Sequence, residues 1–564
     1  MKKQIKKWLI NIAKKNVFLR ELMYSVRDKK QTNTYMKKYY KNYEVDDKLC
    51  VFESFNGRKY SDSPKAVYLR MLNDPEYKDY KFVWAFNNPE NFEYLAENPR
   101  TKVVKYHSDE YKKTYASAKY WFTPSRLPDY IIPKEEQVYC QFWHGTPLKR
   151  LGFDIQMKGM NALHTVKDWQ RMYQYDASRY TYMVSPSEFT SDKYRSAFNL
   201  KAIGKENCIL ETGYPRNDAL FSFDDEYVKK LRKELGIPKG KKVILYAPTW
   251  RDNQHQAGVG YTYELGIDFD KFQKKFGKDY VILFTVHYLV ASRMDLSKYE
   301  GFIINVSDYP DLNDLYIASD MIITDYSSVF FDYANLKRPM LFYMYDLDMY
   351  KGKMRDFYFD LSELPGPIVE KEEDLYKEIK NIDKYFKKYG EKYKKFNEKF
   401  NYLDDADSSK RVLDIIIKGD ASKKMKKVIT YGTYDLLTAG HVEHFRDAKA
   451  MGDYLIVGVS TDEFNAIKNK KSYLTYEERK FIVESIKYVD EVIPEEHWDQ
   501  KPGDIEKYGI DIVAMGSDWE GDERFEKLRQ YCDVQYTYRS GKYSSTDFRK
   551  HVDNYAKEKV EEKK

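Results

Sequence analysis

The residues best equipped for chemistry in this chain are cationic or hydroxyl-bearing and stand in short clusters bounded by glycine and proline. Toward the C-terminus the apolar run KKVITYG leads into Thr433, Tyr434 and Asp435, then Thr438-Ala439-Gly440-His441, and on into the helical HVEHFRDAKAM. A small residue plus a histidine at a strand-to-helix junction places an imidazole and free backbone N–H groups where phosphate is attracted. Alone, such a tetrapeptide is a weak signal, because a single histidine is more often structural. Downstream come Lys468, Lys470 and Lys471, and finally Arg539-Ser540-Gly541-Lys542-Tyr543-Ser544-Ser545-Thr546, whose hydroxyls and N–H groups form a second phosphate cradle.

Four further clusters precede these. They are Gln141-Phe142-Trp143-His144-Gly145-Thr146-Pro147, then Gly213-Tyr214-Pro215-Arg216-Asn217-Asp218, then Tyr246-Ala247-Pro248-Thr249-Trp250-Arg251-Asp252 with His287 beyond it, then Thr324-Asp325-Tyr326-Ser327-Ser328 with Asp332. Each follows an apolar run, and open α/β sheets bind ligands at the carboxyl ends of their strands. A histidine released by Gly-Thr-Pro projects from such an end. The Ser-Ser pair is either an ordinary helix cap or a diphosphate seat, and a shared cleft with Arg216 and His287 favours the seat. His107, His164 and His255 lack such settings and read as surface or packing residues.

Stepping outward, KLCVFES, KFVWAF, TKVVKY, AKYWFTPS, QVYCQFWHG and YTYMVSPS form one series of predicted strands. KENCILETG, KKVILYAPTW, DYVILFTVH, GFIINVS, DMIITDYS and RPMLFYMYD form a second, and KKVITYG, DYLIVGVS, EVIPE, DIVAMGS and VQYTY a third. Helical stretches at 225–236, 310–319 and 328–336 intervene. Apolar strands alternating with helices predict parallel sheets covered on both faces. The expected division is a basic helical segment at 1–47, paired α/β domains at 48–205 and 206–400, a lysine-rich linker at 401–424, a third α/β domain at 425–550 and a charged tail at 551–564.

With 564 residues, 42% hydrophobic and 33% charged, the chain can build several cores and is not disordered. Its four cysteines, Cys50, Cys140, Cys208 and Cys532, lie far apart with no CxxC pair and no zinc spacing, which argues against a disulfide framework and a structural zinc site and fits a reducing compartment. No apolar run reaches the ~20 residues of a membrane span. Charge is uneven: residues 1–41 hold 13 Lys/Arg against two acids, while the whole chain has a formal net charge of only +7. In that segment Ile5, Trp8, Leu9, Ile12, Leu19 and Met23 recur at helical spacing among lysines. A basic amphipathic helix with Trp on its apolar side suits the interface of an anionic membrane. The plainer alternative is a helix packed on its own domain with solvated lysines. Nucleic acid is not expected, because no recognition fold accompanies the charge.

Over nearly all of 425–550, the motifs GTYDLL, STDEFN, YVDEVIPE and the RxxxxSST tail resemble the glycerol-3-phosphate cytidylyltransferases. The resemblance implies a Rossmann-like nucleotidyltransferase fold, CTP with Mg²⁺ and glycerol 3-phosphate as substrates, CDP-glycerol as product and a tendency to dimerise. It assigns CTP to Thr433, Tyr434, Thr438–His441, Lys470 and Arg539–Thr546, and glycerol 3-phosphate to Lys468 and Lys501. Thr438 and His441 would stabilise charge on the α-phosphate. The family usually has His at Thr438 and Arg at Lys487. Over roughly 48–400, FWHGTPLKRLGFD, GYPRND, YAPTWRD and TDYSSVFFDYANLKRP resemble the CDP-glycerol glycerophosphotransferases of teichoic acid synthesis. That implies an α/β, GT-B-like pair of Rossmann-like domains, monotopic membrane attachment and transfer of glycerol phosphate with release of CMP. His144 would be the general base and His287 would neutralise the departing diphosphate. Trp143, Gly145, Thr146, Pro147, Arg216, Pro248, Thr249, Ser327, Ser328 and Asp332 would contact the donor. Thr285 replaces a basic residue common in the family. No metal or other cofactor is expected for this half, because cationic side chains and helix N–H groups can do the work.

Together the resemblances imply a bifunctional enzyme at the inner face of a bacterial membrane that makes CDP-glycerol and passes glycerol phosphate to a lipid-linked or polymer acceptor of teichoic acid or capsule. Two other readings stand beside it. In one the C-terminal domain is a non-catalytic sensor of CTP or CDP-glycerol, and in the other the alcohol is a different polyol phosphate.

Overall fold

The computed structural model describes residues 27–155, 166–249, 255–256, 260–261, 266–286, 295–347, 357–419 and 427–538. The amphipathic stretch up to residue 26, His287, Arg539–Thr546 and the tail at 551–564 lie outside them. The chain divides into two compact units, 1–199 with 208–419, and 420–564 with the short stretch 200–207.

The first unit holds two parallel sheets. One comprises β1 (Asp46–Phe52), β2 (Lys81–Phe86), β3 (Thr101–Lys105), β4 (Ala118–Thr123), β5 (Val138–Gln141), β6 (Tyr182–Ser185) and β7 (Ile209–Glu211), in the order β3-β2-β1-β4-β5-β6-β7. The other draws on β8 (Lys242–Ala247) and, after a small hairpin β9 (His255–Gln256) and β10 (Gly260–Tyr261), on β11 (Tyr280–Phe284), β12 (Ile303–Asn305), β13 (Met321–Thr324), β14 (Met340–Tyr343) and β15 (Ile368–Val369). Its order is β12-β11-β8-β13-β14-β15. Both are doubly wound: the chain leaves the first strand in one direction, then returns and builds away on its other side. Their central strands read as unbroken apolar runs because helices cover both faces, and Cys50, Val51 and Phe52, like Val243, Ile244 and Leu245, are fully buried.

Two boundaries differ from those expected. KENCILETG does not open the second domain: β7 pairs with β6 and finishes the first sheet, so the second sheet begins at Lys242. The 401–424 stretch is not simply a linker. It contains the helix Ser408–Lys418, whose Val412, Leu413 and Ile416 are buried in the first domain's core with Cys50, Phe52 and Trp84. Lysines at both ends of that helix disguise an apolar stripe of ordinary spacing.

The basic N-terminal segment is helical from Arg27, with Tyr35 and Tyr39 buried and the Tyr39 hydroxyl donating to Asp109 at 2.8 Å. Lys29, Lys30, Lys37 and Lys38 share another face. Among the described residues no helix is long and apolar enough to cross a membrane, and all four cysteines are free.

The second unit is one five-stranded parallel sheet of β16 (Lys427–Gly432), β17 (Tyr454–Ser460), β18 (Glu491–Glu495), β19 (Ile512–Gly516) and β20 (Asp533–Thr537), in the order β18-β17-β16-β19-β20. It too is doubly wound. In all three sheets the crevice where winding direction reverses therefore lies beside the loops after β1, β8 and β16, and it is there that ligands are expected.

Candidate active sites

In the first unit those loops converge. After β5 the chain turns sharply, with Trp143 at φ 53° and Gly145 at φ 144°. A side chain on Gly145 would stand 3.4 Å from the Ser328 hydroxyl and 3.7 Å from Arg216 Nη2, so three clusters far apart in sequence meet at this glycine. The Tyr194 hydroxyl, bonded to Tyr214 at 2.6 Å, holds the Gly145 carbonyl at 3.3 Å. Thr146 and Pro147 are buried beneath the turn. Asp325 ties two more loops by accepting from the backbone N–H groups of Thr249 at 2.7 Å and Tyr326 at 2.6 Å. Pro248 is buried beside them, and Ser327 and Ser328 are half-buried. Ser328 precedes the short helix Val329–Tyr333 without capping it through its side chain, which leaves its hydroxyl on the side of Gly145.

Arg216 is the central cation. Its Nε and Nη2 each donate to Asp332 at 3.0 Å, and Asp62 lies 3.7 Å from Nη1. Its side chain is only 5% exposed, yet Nη1 has no hydrogen-bond partner. Asp332, expected as a direct donor contact, is instead committed to holding Arg216 and to Asn217 Nδ2 at 3.1 Å. Two carboxylates hold the guanidinium, whose Nη1 is buried beside Asp62 and whose Nη2 lies toward Gly145.

His144, Arg216, Thr285, Ser328 and Asp332 line a cleft of about 750 Å³ between the two sheets. The His144 ring is open to this cleft and stacks on Trp143 at 4.3 Å. Protein crowding pulls its pKa below the ordinary imidazole value; a hydrogen bond to the Pro124 backbone opposes that shift and the nearby Arg216 charge adds to it. Proline offers only a carbonyl, so one ring nitrogen donates there and the other is left as a proton acceptor. Trp143 departs from its expected place at the donor. Wedged against Phe198 at 5.1 Å and Tyr173 at 5.7 Å, its indole faces a second cavity on the far side of His144 rather than the Arg216 cleft.

The loop after β1 was missed in the sequence. Phe55, Asn56, Gly57 and Asp62 all have positive φ, at 50°, 57°, 73° and 66°. It delivers Arg58, Lys59 and Asp62 to the cleft. The available signal was Asn-Gly followed by two cations at the carboxyl end of the first strand.

In the second unit a cavity of about 630 Å³ is lined by Thr433, Tyr434, Gly440, His441, Lys468, Lys470, Glu495, Trp498 and Arg524, among others. Tyr434, at φ 51°, folds back over Gly432, where any Cβ would strike its ring at 2.6 Å. The fully buried Arg479 pins the neighbouring loops by donating to the carbonyls of Thr433 at 2.8 Å and Ser460 at 2.7 Å and to Asp462 at 2.6 Å. His441 Nδ1 accepts from the Thr438 N–H at 3.1 Å and lies 3.2 Å from the Thr438 hydroxyl, which leaves Nε2 to carry the proton. Thr438 and the exposed Ala439 do not line the cavity. Expected at the phosphate, Thr438 instead orients His441 from the helix cap.

Lys468 and Lys501 flank one carboxylate. Lys501 Nζ donates to Glu495 at 2.7 Å and is buried against Trp498, away from the cavity wall. Expected at glycerol 3-phosphate, Lys501 is engaged with Glu495 and does not line the cavity. Lys468 lies 3.6 Å from Glu495 and bonds Ser460 at 2.7 Å. Its pKa is lowered to about 8, chiefly by burial, which the Glu495 charge opposes and the Lys470 and Lys501 charges reinforce. Lys487 stands outside the cavity over the Tyr488 ring, so the loss of arginine there touches no cavity wall within this chain. His444, which the sequence reading passed over, lines the cavity between Thr430 at 2.7 Å and Thr537 at 2.6 Å.

Comparisons with known proteins bear on both units. Residues 34–418 match the family described as CDP-Glycerol:Poly(glycerophosphate) glycerophosphotransferase, and residues 429–551 the family described as cytidylyltransferase-like. A teichoic acid poly(glycerol phosphate) polymerase of Staphylococcus epidermidis is 42% identical over 66% of this chain and 51% of its own length, so the chain spans about half of that relative. A glycerol-3-phosphate cytidylyltransferase of Staphylococcus aureus is 56% identical over 23% of this chain and 96% of its own length. A solved structure of the wall teichoic acid polymerase TagF superposes with a TM-score of 0.63 and 40% identity, covering 74% of this chain and 98% of that one.

Proposed function

Because the chain belongs to the CDP-glycerol:poly(glycerophosphate) glycerophosphotransferase family and carries a second, cytidylyltransferase-like domain, we propose that it makes CDP-glycerol with one unit and consumes it with the other. The observation that carries the reading is the meeting of His144, Gly145, Arg216 and Ser328 around one cleft, in a chain that also holds a lysine-rich nucleotide-type pocket.

In the second unit, a phosphate oxygen of glycerol 3-phosphate attacks the α-phosphorus of CTP, and the bond to diphosphate breaks. A phosphate nucleophile needs no strong base, so positioning and cationic stabilisation suffice. Lys468 holds the acceptor phosphate, with Glu495 and Lys501 fixing it. The His441 Nε2–H and the Gly440 backbone face the reacting phosphates. Mg²⁺ suits this site as the partner of CTP: of the wall carboxylates, Asp435 accepts from the Tyr473 and Leu474 N–H groups and Glu495 from Lys501, while Asp518 is the third, and a nucleotide-borne Mg²⁺ needs few protein ligands. When bound it would neutralise triphosphate charge.

In the first unit, an acceptor hydroxyl attacks the β-phosphorus of CDP-glycerol. The new P–O bond forms as the bond to CMP breaks, CMP leaves with the electron pair, and the hydroxyl proton passes to His144. The lowered pKa keeps that imidazole neutral and ready to accept. The Arg216 guanidinium and the Ser328 hydroxyl stabilise the diphosphate. The TagF relative has been soaked with CDPG, which supports this assignment of the donor. Lys29, Lys30, Lys37 and Lys38 suit an anionic membrane surface where a lipid-linked acceptor would be met. A teichoic acid or capsular polymer is the product class.

The test is incubation of the full chain with CTP, glycerol 3-phosphate and lipid-linked acceptors. Diphosphate and CDP-glycerol should appear first, then CMP with acceptor enlarged by glycerol phosphate units. Release of diphosphate lost in His441→Ala and of CMP lost in His144→Ala would separate the halves. Diphosphate release absent from the unaltered protein would favour a nucleotide-sensing second unit.

A further inference from the structure

The reaction proposed for the second unit asks only a positive charge of Lys468, yet the surroundings of this lysine are those of a nucleophile. Its Nζ donates to the Ser460 hydroxyl at 2.7 Å, and that hydroxyl donates in turn to Glu495 Oε2. Ser460 and Glu495 are both buried. The other Glu495 oxygen accepts from Lys501 Nζ at 2.7 Å. Amine, relaying hydroxyl, carboxylate and orienting cation thus stand in one line. An activated nucleophile, its base and the group that fixes the base are arranged in that order.

The amine is also kept partly uncharged. Only 11% of the Lys468 side chain is exposed, with the Phe464 ring at 4.0 Å and the Trp498 ring at 5.6 Å. Burial lowers its pKa to about 8; the Glu495 charge opposes that shift and the Lys470 and Lys501 charges add to it. At pH 7 about one such amine in ten is free base, against roughly one in 2,500 for a lysine at the ordinary 10.4. The other lysine and the arginine of the described cavity wall lack this setting. Lys470 is exposed, and Arg524 is spent on Asp522 through Nε at 2.9 Å and Nη2 at 2.6 Å.

A phosphate held by Lys468 has an oxygen about 3 Å from Nζ, and the first carbon of the bound ester lies one bond beyond the bridging oxygen. In a polyol phosphate that carbon is saturated and inert. In an acyl phosphate it is a carbonyl carbon with phosphate already attached as leaving group, within the near-attack range of the amine. We propose that Lys468 is a modification site at which acyl phosphates, taken up in place of glycerol 3-phosphate, acylate the enzyme and lower its supply of CDP-glycerol. The free amine attacks the carbonyl carbon. A C–N bond forms, the C–O bond to phosphate breaks, and inorganic phosphate leaves with the electron pair. The proton shed by nitrogen passes through the Ser460 hydroxyl to Glu495. The amide product is neutral, so the acceptor phosphate loses its cation while the chemistry of the first unit is untouched. The proposal rests on the cytidylyltransferase reading of this cavity and adds a control that responds to acyl phosphate.

The full chain is incubated with acetyl phosphate, and acetyl occupancy at each lysine is followed by peptide mass spectrometry. Lys468 should be acetylated about fiftyfold faster than the exposed Lys470 and Lys527, as the larger free-base fraction of a buried lysine allows. Its rate should saturate with acetyl phosphate, be suppressed by glycerol 3-phosphate and level off above about pH 8. The phosphate-free donor acetyl N-hydroxysuccinimide should show no saturation. Ser460→Ala, which cuts the relay to Glu495, should slow acetylation of Lys468 by about tenfold or more, as for a lost general base. The acetylated protein should have a KM for glycerol 3-phosphate raised about tenfold, as for one lost charged contact, with the CTP KM and CMP release from added CDP-glycerol within about twofold. Acetylation no faster at Lys468 than at Lys527, a rate that glycerol 3-phosphate leaves unchanged, saturation with the phosphate-free donor, or an unslowed Ser460→Ala would each overturn the proposal. If the unmodified protein released no diphosphate from CTP and glycerol 3-phosphate, the cytidylyltransferase reading would fail instead.

Discussion

Removing Asp332 should damage stability as well as turnover, and by different routes. Asp332→Ala deletes two charge-assisted hydrogen bonds at 3.0 Å and a third from Asn217 at 3.1 Å, while the guanidinium they held stays buried. Breaking one side of a buried ion pair costs about 3–5 kcal/mol. Asp62, 3.7 Å from Nη1, retains partial neutralisation, so the expectation is about 3 kcal/mol, near the lower end of that range. Urea unfolding of the single variant should show the shift. The double variant Arg216→Met/Asp332→Leu should recover part of it, because the buried guanidinium is gone, although Asp62 is then left without its cation. Neither variant should transfer glycerol phosphate, since the guanidinium is misplaced in one and missing in the other. A loss under 0.5 kcal/mol in Asp332→Ala, a margin ordinary for surface changes, or a double variant as unstable as the single one, would refute the assignment of Asp332 as the group that holds Arg216.

Other expectations follow from the two sites. The His144 pKa lies below the ordinary 6.5, so its basic form is complete at neutral pH and lost only as pH falls; kcat/KM for transfer should be level across neutrality with an acid limb below that value, and a limb centred above it would contradict the shift. Lys468, with a pKa of about 8, is cationic below that pH and neutral above it; the KM for glycerol 3-phosphate should therefore climb above pH 8, and Lys468→Gln should raise it at neutral pH and flatten the profile. Thr438→Val removes one of the two groups against His441 Nδ1 and keeps the backbone N–H, so the cytidylyltransferase kcat should fall about five- to tenfold, as for one lost hydrogen bond, with the CTP KM nearly unchanged; a selective rise in CTP KM would return Thr438 to the phosphate.

What could be read in advance followed physical distance along the chain. Apolar runs such as KVILYA and YVILF announced parallel strands because both faces are buried, and local motifs announced His144, Arg216, Ser328 and His441. Sheet membership was not local. A three-residue strand such as Ile209–Glu211 looks the same whichever sheet accepts it. Nor could composition reveal that Arg216 and Asp332, two apparent ligands, neutralise each other across 116 residues, or that Lys501 is spent on Glu495. The most instructive omission is the loop after β1. The loops after β8, β16 and β1 occupy the same topological place, each at the crevice where its sheet reverses direction. Two were noticed because Ala-Pro-Thr and Gly-Thr-Tyr-Asp belong to recognisable motifs. The third, Glu-Ser-Phe-Asn-Gly-Arg-Lys, carries its information in left-handed backbone at Phe55 and Asn56, which leaves almost no mark on residue type. Topology alone puts that loop at the crevice, and Arg58, Lys59 and Asp62 do line the cleft.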